Sequence, residues 1–354
     1  MYDANVLVSA AGSILAQGII KSLKLANKIK YNPVRYRIIT VDMNAQAAGL
    51  YRGDIGILVP PPSSPDHIDS IIKICNEQII QAIFVGADEE LLPLALAKKR
   101  IESETKAVLV TNPADVITTA TDKWKTFEFL KKNNLPCAQS SLPEEQERFI
   151  EEFGFPIVVK PREGHGSLHF YIANNKDEVK RAVSDIQKIG GHPILQEYIE
   201  GADSEFTSGV TVNKTGKYVM SSISMRKTLK GGQTYKAFID EFNDVRKSAE
   251  ETAIKLGSIG PINVQAKLDG NKPKIFEINP RFSATCPIRA VAGVNEPDII
   301  FRNTVLGEDI KIEHYQKLVC MRYWNEVYVP YSTYEETHNT GRVEKADSFI
   351  PDYF

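Results

Sequence analysis

Residues 274–283 constrain this chain most, because polar side chains occupy every second position of an otherwise apolar strand pattern. Successive side chains of a β-strand point to opposite faces of the sheet. Glu277, Asn279 and Arg281 are therefore expected on one face, while the apolar residues between them take the other. A carboxylate, a carboxamide and a guanidinium on one surface predict a site for charged ligands.

A second strand pattern, over residues 262–268, is joined to this run through Asp269 and Gly270, a pair that favours tight hairpin turns. Antiparallel pairing around that turn, with Leu268 opposite Pro273 or Lys274, brings Gln265 to the level of Phe276 and Glu277. Two carboxamides and a carboxylate then converge, and such oxygen ligands suit Mg²⁺ or Mn²⁺. The alternative is a solvated hairpin face, which is the commoner state of a single polar residue.

A lysine followed by a glycine-containing loop lies further upstream. Residues 155–161 form a short buried-strand pattern that includes Lys160, and the loop after it contains Gly164, Gly166 and Ser167. Glycines let backbone N–H groups approach phosphate oxygens, and the lysine supplies a compact positive charge. The loop is not a Walker A motif, because no Gly-Lys-Ser/Thr opens a helix here. Taken alone, such a loop is more often an ordinary turn.

The order of these patterns carries a family resemblance. Between the glycine loop and the hairpin lie a strand that ends in a Gln-Glu-Tyr-Ile hinge at residues 196–199, a break at Gly201 and a second strand from near Glu205. The order of these features along the chain resembles that of the ATP-grasp superfamily. The features are a lysine strand, a glycine loop, this hinge, an acidic residue, then Gln265 and the Glu-Ile-Asn-Pro-Arg run at residues 277–281.

The resemblance extends over roughly residues 1–310 and is to a single ATP-binding half of the carbamoyl-phosphate synthase large chain, as in stand-alone carboxylate-amine ligases. It implies an α/β and α+β fold, with an N-terminal Rossmann-like parallel sheet, the pre-ATP-grasp domain, followed by a two-lobed ATP-grasp fold. It also implies an ATP-dependent ligase that phosphorylates a small-molecule carboxylate to an acyl phosphate. The acyl group then passes to an amine or similar nucleophile, with release of ADP and phosphate.

The resemblance also implies which residues bind ATP. Lys123 and Lys160 would contact the phosphates, the glycine loop would be a flap over them, and the hinge backbone would read the adenine edge. Glu205 would hold the ribose hydroxyls, with Asp203 as a competing candidate. The implied nucleotide-binding residues are Lys123, Lys160, Gly164, Gly166, Ser167, Glu197, Tyr198, Ile199 and Glu205.

In the same resemblance, Gln265, Glu277 and Asn279 would hold two Mg²⁺ (or Mn²⁺) ions, with Glu277 bridging them. Arg281 would meet the transferred phosphoryl group or the acyl phosphate, acting with Lys160 as a catalytic residue. Phosphoryl transfer to a carboxylate depends mainly on positioning and on neutralising charge, so no general base is required for that step. Because an acyl phosphate is easily hydrolysed, we expect a closing flap that excludes water.

The N-terminal segment predicts a βαβ unit, with a strand over residues 5–10, a helix that ends near Asn27 and a second strand over residues 36–41. At the dinucleotide fingerprint positions the chain has Ala10, Gly12 and Leu15, so only one of three glycines is present. This composition disfavours an NAD(P) site.

Asp88 follows a further predicted strand, and ligands of open α/β sheets bind at such strand ends. In the family this domain helps to hold the acceptor, so we take Asp88 and Arg289 as candidate substrate residues. An aspartate suits an ammonium group and an arginine suits a carboxylate. The alternatives, weighted equally, are that Asp88 only caps a helix and that Arg289 packs structurally.

Composition is that of an ordinary globular protein, with 354 residues, 25% charged residues and a net charge of -2, so no nucleic-acid partner is implied. The cysteines lack paired metal spacing, the N-terminus lacks a basic leader and no apolar run approaches a membrane span. We therefore expect a cytoplasmic protein without membrane contact, and leave a homodimer open.

Proline-containing and other turn-forming stretches along the chain predict four segments. These are a pre-ATP-grasp domain (1–115), a small lid domain (116–191), a catalytic domain (192–310) and a C-terminal extension (311–354), which adds a strand over residues 318–329. The extension has no assigned function.

Three classes of function stay open on the sequence. The leading one is the carboxylate-amine ligase, with a bicarbonate-activating, carbamoyl-phosphate-synthase-like enzyme as its variant. The second is an ATP-binding module without turnover, which the intact Lys160, Glu277, Asn279 and Arg281 argue against. The third is an NAD(P)-dependent oxidoreductase, disfavoured by the missing glycines.

Overall fold

The computed structural model describes residues 1–164, 168–201, 205–323 and 325–351. Its N-terminal part alternates strands and helices, as the βαβ pattern predicts. The elements are β1 (Tyr2–Val8), α1 (Ile14–Lys28), β2 (Val34–Asp42), β3 (Ile55–Leu58), α2 (His67–Glu77), β4 (Ala82–Phe84), α3 (Asp88–Glu104) and β5 (Val108–Val110). Parallel pairing of β3, β2, β1, β4 and β5 in that order forms the first sheet, which confirms the predicted Rossmann-like sheet.

Alternation along these strands explains why helices cover both faces of the first sheet. Val6 and Phe84 point to the face that α1 covers, and Leu7 and Ile83 point to the face that α2 and α3 cover. A parallel sheet buried on both faces requires such continuous apolar strands. The hydroxyl of Ser13 accepts a hydrogen bond from the backbone N–H of Ala16 and so caps α1 at the carboxyl end of β1.

A smaller antiparallel sheet, the second sheet, follows. The elements of this part are α4 (Ala114–Thr121), α5 (Lys123–Lys132), β6 (Ser140–Ser141), α6 (Gln146–Phe153), β7 (Ile157–Pro161), β8 (Tyr171–Ala173), α7 (Lys176–Lys188) and β9 (Pro193–Glu197). The strand order is β6-β9-β7-β8, and α7 packs over it through Val179 and Ile186. The boundary that we predict at residue 191 thus separates β9 from the strands with which it pairs.

The third sheet is antiparallel and contains the hairpin that the sequence predicts. Its part of the chain comprises β10 (Glu205–Val212), β11 (Val219–Lys230), β12 (Gln233–Ile239), α8 (Asn243–Lys255), β13 (Gly260–Asp269), β14 (Lys272–Asn279), α9 (Cys286–Val291) and α10 (Glu296–Thr304). The strands run in the order β14-β13-β10-β11-β12. Helix α8 packs on one face through Val245, Ala249 and Ala253, and the opposite face bears the candidate site.

The C-terminal extension contributes to two sheets. It contains β15 (Leu318–Met321), α11 (Tyr331–Thr340) and β16 (Arg342–Glu344). β15 pairs antiparallel with β12, and β16 pairs antiparallel with β3. The strand predicted over residues 318–329 is shorter in the structure and ends at Met321, which lies opposite Lys236 of β12. In the part of the chain that the structure describes, we find no helix with the length and apolar character needed to span a bilayer.

Candidate active site

The β13–β14 hairpin has the register that the sequence predicts. Gln265 lies opposite Glu277, and Leu268 lies opposite Pro273. The turn between the strands contains Gly270, whose φ of 58° favours glycine. A shift of register follows Gln265, so the ladder is irregular next to the site, as is common beside functional residues.

Glu277 is surrounded by cations from separate parts of the chain. Burial, the largest single effect, would raise the pKa of this carboxyl group, but the ammonium groups of Lys123 and Lys160, together with weaker contributions, leave the pKa of Glu277 lowered. A hydrogen bond from Asn279 Nδ2 to Glu277 Oε1, at 3.1 Å, and the charge of Lys227 act in the same direction. The carboxylate is therefore ionised and able to hold a divalent cation.

Lys160 lies at the end of β7 and is almost fully buried. Its ammonium group donates to Gln196 Oε1 at 2.8 Å and sits 5.4 Å from the centre of the Phe276 ring. Burial, followed by the neighbouring charge of Lys123, lowers the pKa of Lys160 to about 7. An anionic ligand beside this amine would raise the pKa again and so bind the charged form.

The first turn of α5 anchors the start of the glycine loop. Asp122 caps the helix by accepting from the Trp124 N–H at 2.8 Å, and its other oxygen binds the Arg162 guanidinium at 2.6 Å. Lys123 donates from Nζ to the carbonyl of Gly164 at 2.9 Å. Gly164 has a φ of 111°, a conformation that strains any other residue.

Part of the predicted flap cannot be placed. Gly166 and Ser167, with His165 between the two glycines, lie outside the residues that the structure describes, and so does Asp203, the alternative to Glu205. Their predicted roles stay predictions.

The hinge residues are held by contacts that the sequence does not reveal. The carboxylate of Glu197 accepts from the Gln139 N–H and from Lys274 Nζ, each at 2.7 Å. The carbonyl of Ile199 accepts from Lys267 Nζ at 3.1 Å, and the same ammonium lies 5.5 Å from the centre of the Tyr198 ring. The hinge is thus tied to the third sheet by two lysines.

Sequence reasoning missed Lys227, on β11. Its side chain is 7% exposed, and Nζ lies 2.9 Å from Glu205 Oε1 and also donates to Gln265 Oε1. A signal was present, because Lys227 continues the alternating face of Ile223 and Met225, where a lysine is out of place. Glu205, the predicted ribose residue, is therefore already paired in this structure.

A single cavity of about 610 Å³ brings most of the predicted nucleotide residues together. The side of the cavity with the second sheet is apolar and includes Phe170 and Ile172, while Phe276 and Glu277 come from the third sheet. The predicted residues that line it are Lys123, Lys160, Gly164, Glu197, Tyr198, Ile199 and Glu205. An apolar wall opposite charged groups suits a ligand with a flat ring at one end and anionic groups at the other.

Asp88 and Arg281 contact each other across the first and third sheets. Arg281 Nε lies 2.7 Å from Asp88 Oδ1, and Nη2 lies 3.0 Å from Oδ2, which is a bidentate pair. Arg281 Nη2 also donates to Asn279 Oδ1 at 3.2 Å. The structure thus joins the end of β14, the predicted metal strand, to the first turn of α3.

Arg289 is not brought into this group. Its side chain is fully buried, Nη1 lies 3.0 Å from Glu296 Oε1, and Nη2 lies 2.6 Å from Asn263 Oδ1. The pair occupies the space above Gly209, where an added Cβ would lie 1.9 Å from the Glu296 carboxylate. The packing contacts of Arg289 are thus those of a structural ion pair, one of the two alternatives that the sequence left open.

Comparison with known proteins identifies two domains in this chain. Residues 120–285 match the family model of an ATP-grasp domain, and residues 14–109 match that of a PylC-like N-terminal domain. The carbamoyl-phosphate synthase of Methanobrevibacter smithii is 25% identical over 247 residues, which cover 65% of this chain and 65% of that protein. The carbamoyl phosphate synthase large chain of Helicobacter pylori strain J99 is 25% identical over 285 residues, covering 75% of this chain but 26% of that protein.

This chain therefore spans about a quarter of the Helicobacter large chain and slightly less than two thirds of the Methanobrevibacter protein. Among solved structures, the N5-carboxyaminoimidazole synthetase of Staphylococcus aureus complexed with ADP has a TM-score of 0.70 at 16% identity, covering 96% of this chain and 86% of that one. The biotin carboxylase domain dimer of Hydrogenobacter thermophilus 2-oxoglutarate carboxylase, in complex with MgADP, ADP and bicarbonate, has a TM-score of 0.67 at 18% identity, covering 88% and 71%.

These likenesses share the fold described above, and the sequence matches cover the lysine strand, the hinge and the metal strand. The resemblance drawn from the sequence is thereby confirmed, and the chain carries an ATP-grasp domain behind a PylC-like N-terminal domain.

Proposed function

We propose that this protein is an ATP-dependent carboxylate-amine ligase. The observation that carries the proposal is the convergence of Lys123, Lys160 and Lys227, from three separate elements, on the ionised carboxylate of Glu277. Lys123, Lys160 and Glu277 line the same cavity as the hinge residues. Cations grouped around one carboxylate suit a polyphosphate whose metal ion is held by that carboxylate.

The residues present fit a divalent metal. Glu277 offers a carboxylate with a lowered pKa, and Gln265 and Asn279 offer carboxamide oxygens on the same hairpin face. No group of three His, Cys, Asp or Glu side chains suited to a metal occurs within the described ranges, so a metal would need phosphate oxygens or water to complete its shell. Bound Mg²⁺ or Mn²⁺ would neutralise phosphate charge and align the reacting oxygens.

The chain's own side chains would bind the nucleotide as follows. Lys160 and Lys123 would bind phosphate oxygens, the apolar wall with Phe170 and Ile172 would hold the adenine ring, and the hinge backbone at residues 197–199 would read its edge. Lys227, already beside Glu205 and Gln265, would add positive charge near Glu277. Enclosure by the second sheet would exclude water during transfer.

The proposed chemistry has two steps. A carboxylate oxygen attacks the γ-phosphorus of ATP, the bond from that phosphorus to the β–γ bridging oxygen breaks, and ADP leaves with the electron pair. An amine nitrogen then attacks the acyl carbon, the carbon–oxygen bond to phosphate breaks, and inorganic phosphate leaves while the amine loses a proton. Arg281, beside Asn279, would neutralise charge on the acyl phosphate in both steps.

Bicarbonate is the second candidate for the carboxylate. Both relatives named above are carbamoyl-phosphate synthases, and the Hydrogenobacter structure contains bicarbonate. An ATP-binding module without turnover would also need the lysines, but it would not need Glu277 and Arg281 in contact through Asn279.

Two further properties are proposals of the same kind. The Hydrogenobacter neighbour is a dimer, so we expect a homodimer here, which light scattering after size exclusion would test. The free cysteines, of which three are buried, agree with the reducing environment of the cytoplasm.

The test of the proposed function is ADP release from MgATP. A panel would combine bicarbonate and the amino acids as carboxylates with ammonium and the amino acids as acceptors. We expect ADP release that requires one carboxylate and rises with one amine, and that the Glu277→Gln variant does not show. Absence of ADP release with every combination, from protein that still binds MgADP, would support the module without turnover.

A further inference from the structure

We propose that Asp88 is a positioning residue that holds the Arg281 guanidinium for the transfer steps, and that it does not serve as the group that binds the acceptor's ammonium. This inference rests on the proposed ligase function. It removes Asp88 as a binding partner for an ammonium group of the acceptor.

Most of the hydrogen-bonding capacity of Arg281 is used. The carboxylate of Asp88 accepts hydrogen bonds from Nε and from one N–H of Nη2. Asn279 Oδ1 accepts from the other N–H of Nη2 at 3.2 Å, and the Phe282 carbonyl accepts from Nη1 at 3.0 Å. A guanidinium has five N–H donors, so these four bonds leave one on Nη1. Arg281 is thus fixed in one orientation, with a remaining donor for a ligand.

The same contacts link α3 to the metal strand. Asp88 binds Arg281, Arg281 donates to Asn279 Oδ1, and Asn279 donates from Nδ2 to Glu277 Oε1 at 3.1 Å. Each member is fixed by the next, so the orientation of Arg281 relative to Glu277 depends on Asp88. Geometry of this kind controls transfer rates strongly, because reacting groups must be held within a fraction of an ångström.

The ion pair is not needed to dock the first sheet on the third. Asn112 Nδ2 donates to the carbonyls of Pro261 and Pro280 at 2.7 and 3.0 Å, and the Phe84 and Phe282 rings pack with centroids 5.8 Å apart. Elsewhere Tyr36 donates to Asp298 Oδ1 at 2.7 Å. These contacts bury the interface without Asp88, whose side chain is 25% exposed.

An ammonium-binding role for Asp88 would require Arg281 to give up its bidentate partner. Both carboxylate oxygens of Asp88 accept from the guanidinium at 2.7 and 3.0 Å. A charged, bidentate pair of this geometry is among the stronger side-chain contacts. An incoming ammonium would therefore compete with a guanidinium that two other bonds, to Asn279 and Phe282, also hold in place.

A double-mutant cycle on ADP release tests the inference. The variants are Asp88→Asn, Arg281→Lys and the two combined, assayed with MgATP and the panel of carboxylates and amines named above. Arg281→Lys keeps the positive charge but cannot form the bidentate pair with the Asp88 carboxylate. We expect Asp88→Asn to lower kcat between about 10- and 100-fold, with KM for ATP and for the amine changed less than about twofold. In the Arg281→Lys background the same change should have little further effect.

Two matched variants control for charge and for loosening of the interface. Glu89→Gln removes a carboxylate from the same first turn of α3, and Asp298→Asn weakens the contact of β2 in the first sheet with α10. We expect Glu89→Gln to resemble wild type, and any effect of Asp298→Asn to add to that of Arg281→Lys. An equal rise of melting temperature with MgADP in every variant shows that the folds are intact.

The outcomes are distinct. A selective rise of the amine KM in Asp88→Asn that persists beside Arg281→Lys would establish ammonium binding and overturn the inference. An unchanged kcat would overturn it as well. If the wild-type protein releases no ADP with any combination, the proposed ligase function itself fails, and the inference fails with it.

Discussion

The ammonium group of Lys160 lies 2.8 Å from the side-chain oxygen of Gln196, inside the protein and within reach of the charge of Glu277. Burial lowers the pKa of Lys160 to about 7, so the free protein loses this charge near neutral pH. A buried lysine in this state is prepared to take up a proton together with an anion.

The first prediction is proton uptake on nucleotide binding. At pH 8 most Lys160 side chains are neutral in the free protein, and bound phosphates should restore their charge, so MgADP binding should take up most of one proton. Calorimetric titrations in two buffers of different ionisation enthalpy measure this number. Lys160→Met should abolish the uptake and weaken binding, whereas Lys125→Met, on the exposed side of α5, should change neither. Equal uptake in both variants would contradict the assignment.

The second prediction concerns Glu277. Glu277→Gln keeps the shape of the side chain but removes the carboxylate, so ADP release should fall by about 100-fold or more, with the melting temperature almost unchanged. Because Glu277 raises the pKa of Lys160, its loss should also shift the pH dependence of MgADP binding to lower pH. Glu251→Gln, exposed on α8, is the matched control. Wild-type turnover in Glu277→Gln would refute the metal role.

The third prediction concerns the lysine that the sequence did not reveal. Lys227→Met leaves Glu205 and Gln265 without their cation, so we expect the KM for ATP to rise about tenfold or more. Lys230→Met, three residues further along the same strand and exposed, should behave as wild type. Steady-state kinetics with varied ATP separate these outcomes, and the same KM in both variants would exclude Lys227 from the nucleotide site.

The fourth prediction separates stability from substrate binding at Arg289. Arg289→Met leaves Glu296 buried without its partner, which should cost about 3–5 kcal/mol of the free energy of unfolding. Urea unfolding followed by fluorescence gives the value. Glu296→Gln should also lower the free energy of unfolding, because the Arg289 guanidinium then stays charged and buried without its carboxylate. A loss of carboxylate affinity in Arg289→Met at unchanged stability would instead restore its role as a substrate residue.

The fifth prediction is a pH effect on stability from Glu90. Burial is the main cause that raises the pKa of Glu90 to about 7, although the Ser9 hydroxyl bonds to it. The folded state then holds a proton that the unfolded chain has lost, so this group's contribution decreases stability as the pH rises from about 4.5 to 7. Glu90→Gln should raise the melting temperature at pH 8.5 and have less effect at pH 5.5. An equal shift at both values would contradict it.

The hairpin was predictable because its information is local. Alternation fixes the face of Glu277 and Asn279, and the Asp269-Gly270 turn fixes the register that sets Gln265 opposite Glu277. The chain order of the lysine strand, hinge and metal strand then indicates the ATP-grasp domain. The local residue pattern and the order of the motifs therefore predict most of the fold.

Contacts between distant segments were not predictable in this way. Lys227 meets Gln265 only because β10 lies between β11 and β13 in the third sheet, and Asp88 meets Arg281 only after the first and third sheets dock. No periodicity in a single strand encodes such pairings. The burial of Arg289 depends on Gly209 in the same manner, because the glycine leaves room for a pair formed from α9 and α10.

The C-terminal extension has a mechanical consequence. Its strand β15 is hydrogen-bonded to the third sheet and its strand β16 to the first, so the described part of the extension forms a strap that joins the two. Separating those sheets would require peeling a strand from an edge, which breaks several backbone hydrogen bonds together. Within the described residues, neither β15 nor β16 pairs with the second sheet, which contacts β14 through the Ala138 N–H bond to the Ile275 carbonyl and the Lys274–Glu197 pair. Opening of the nucleotide cavity is therefore expected as a hinge motion of the second sheet against a rigid base.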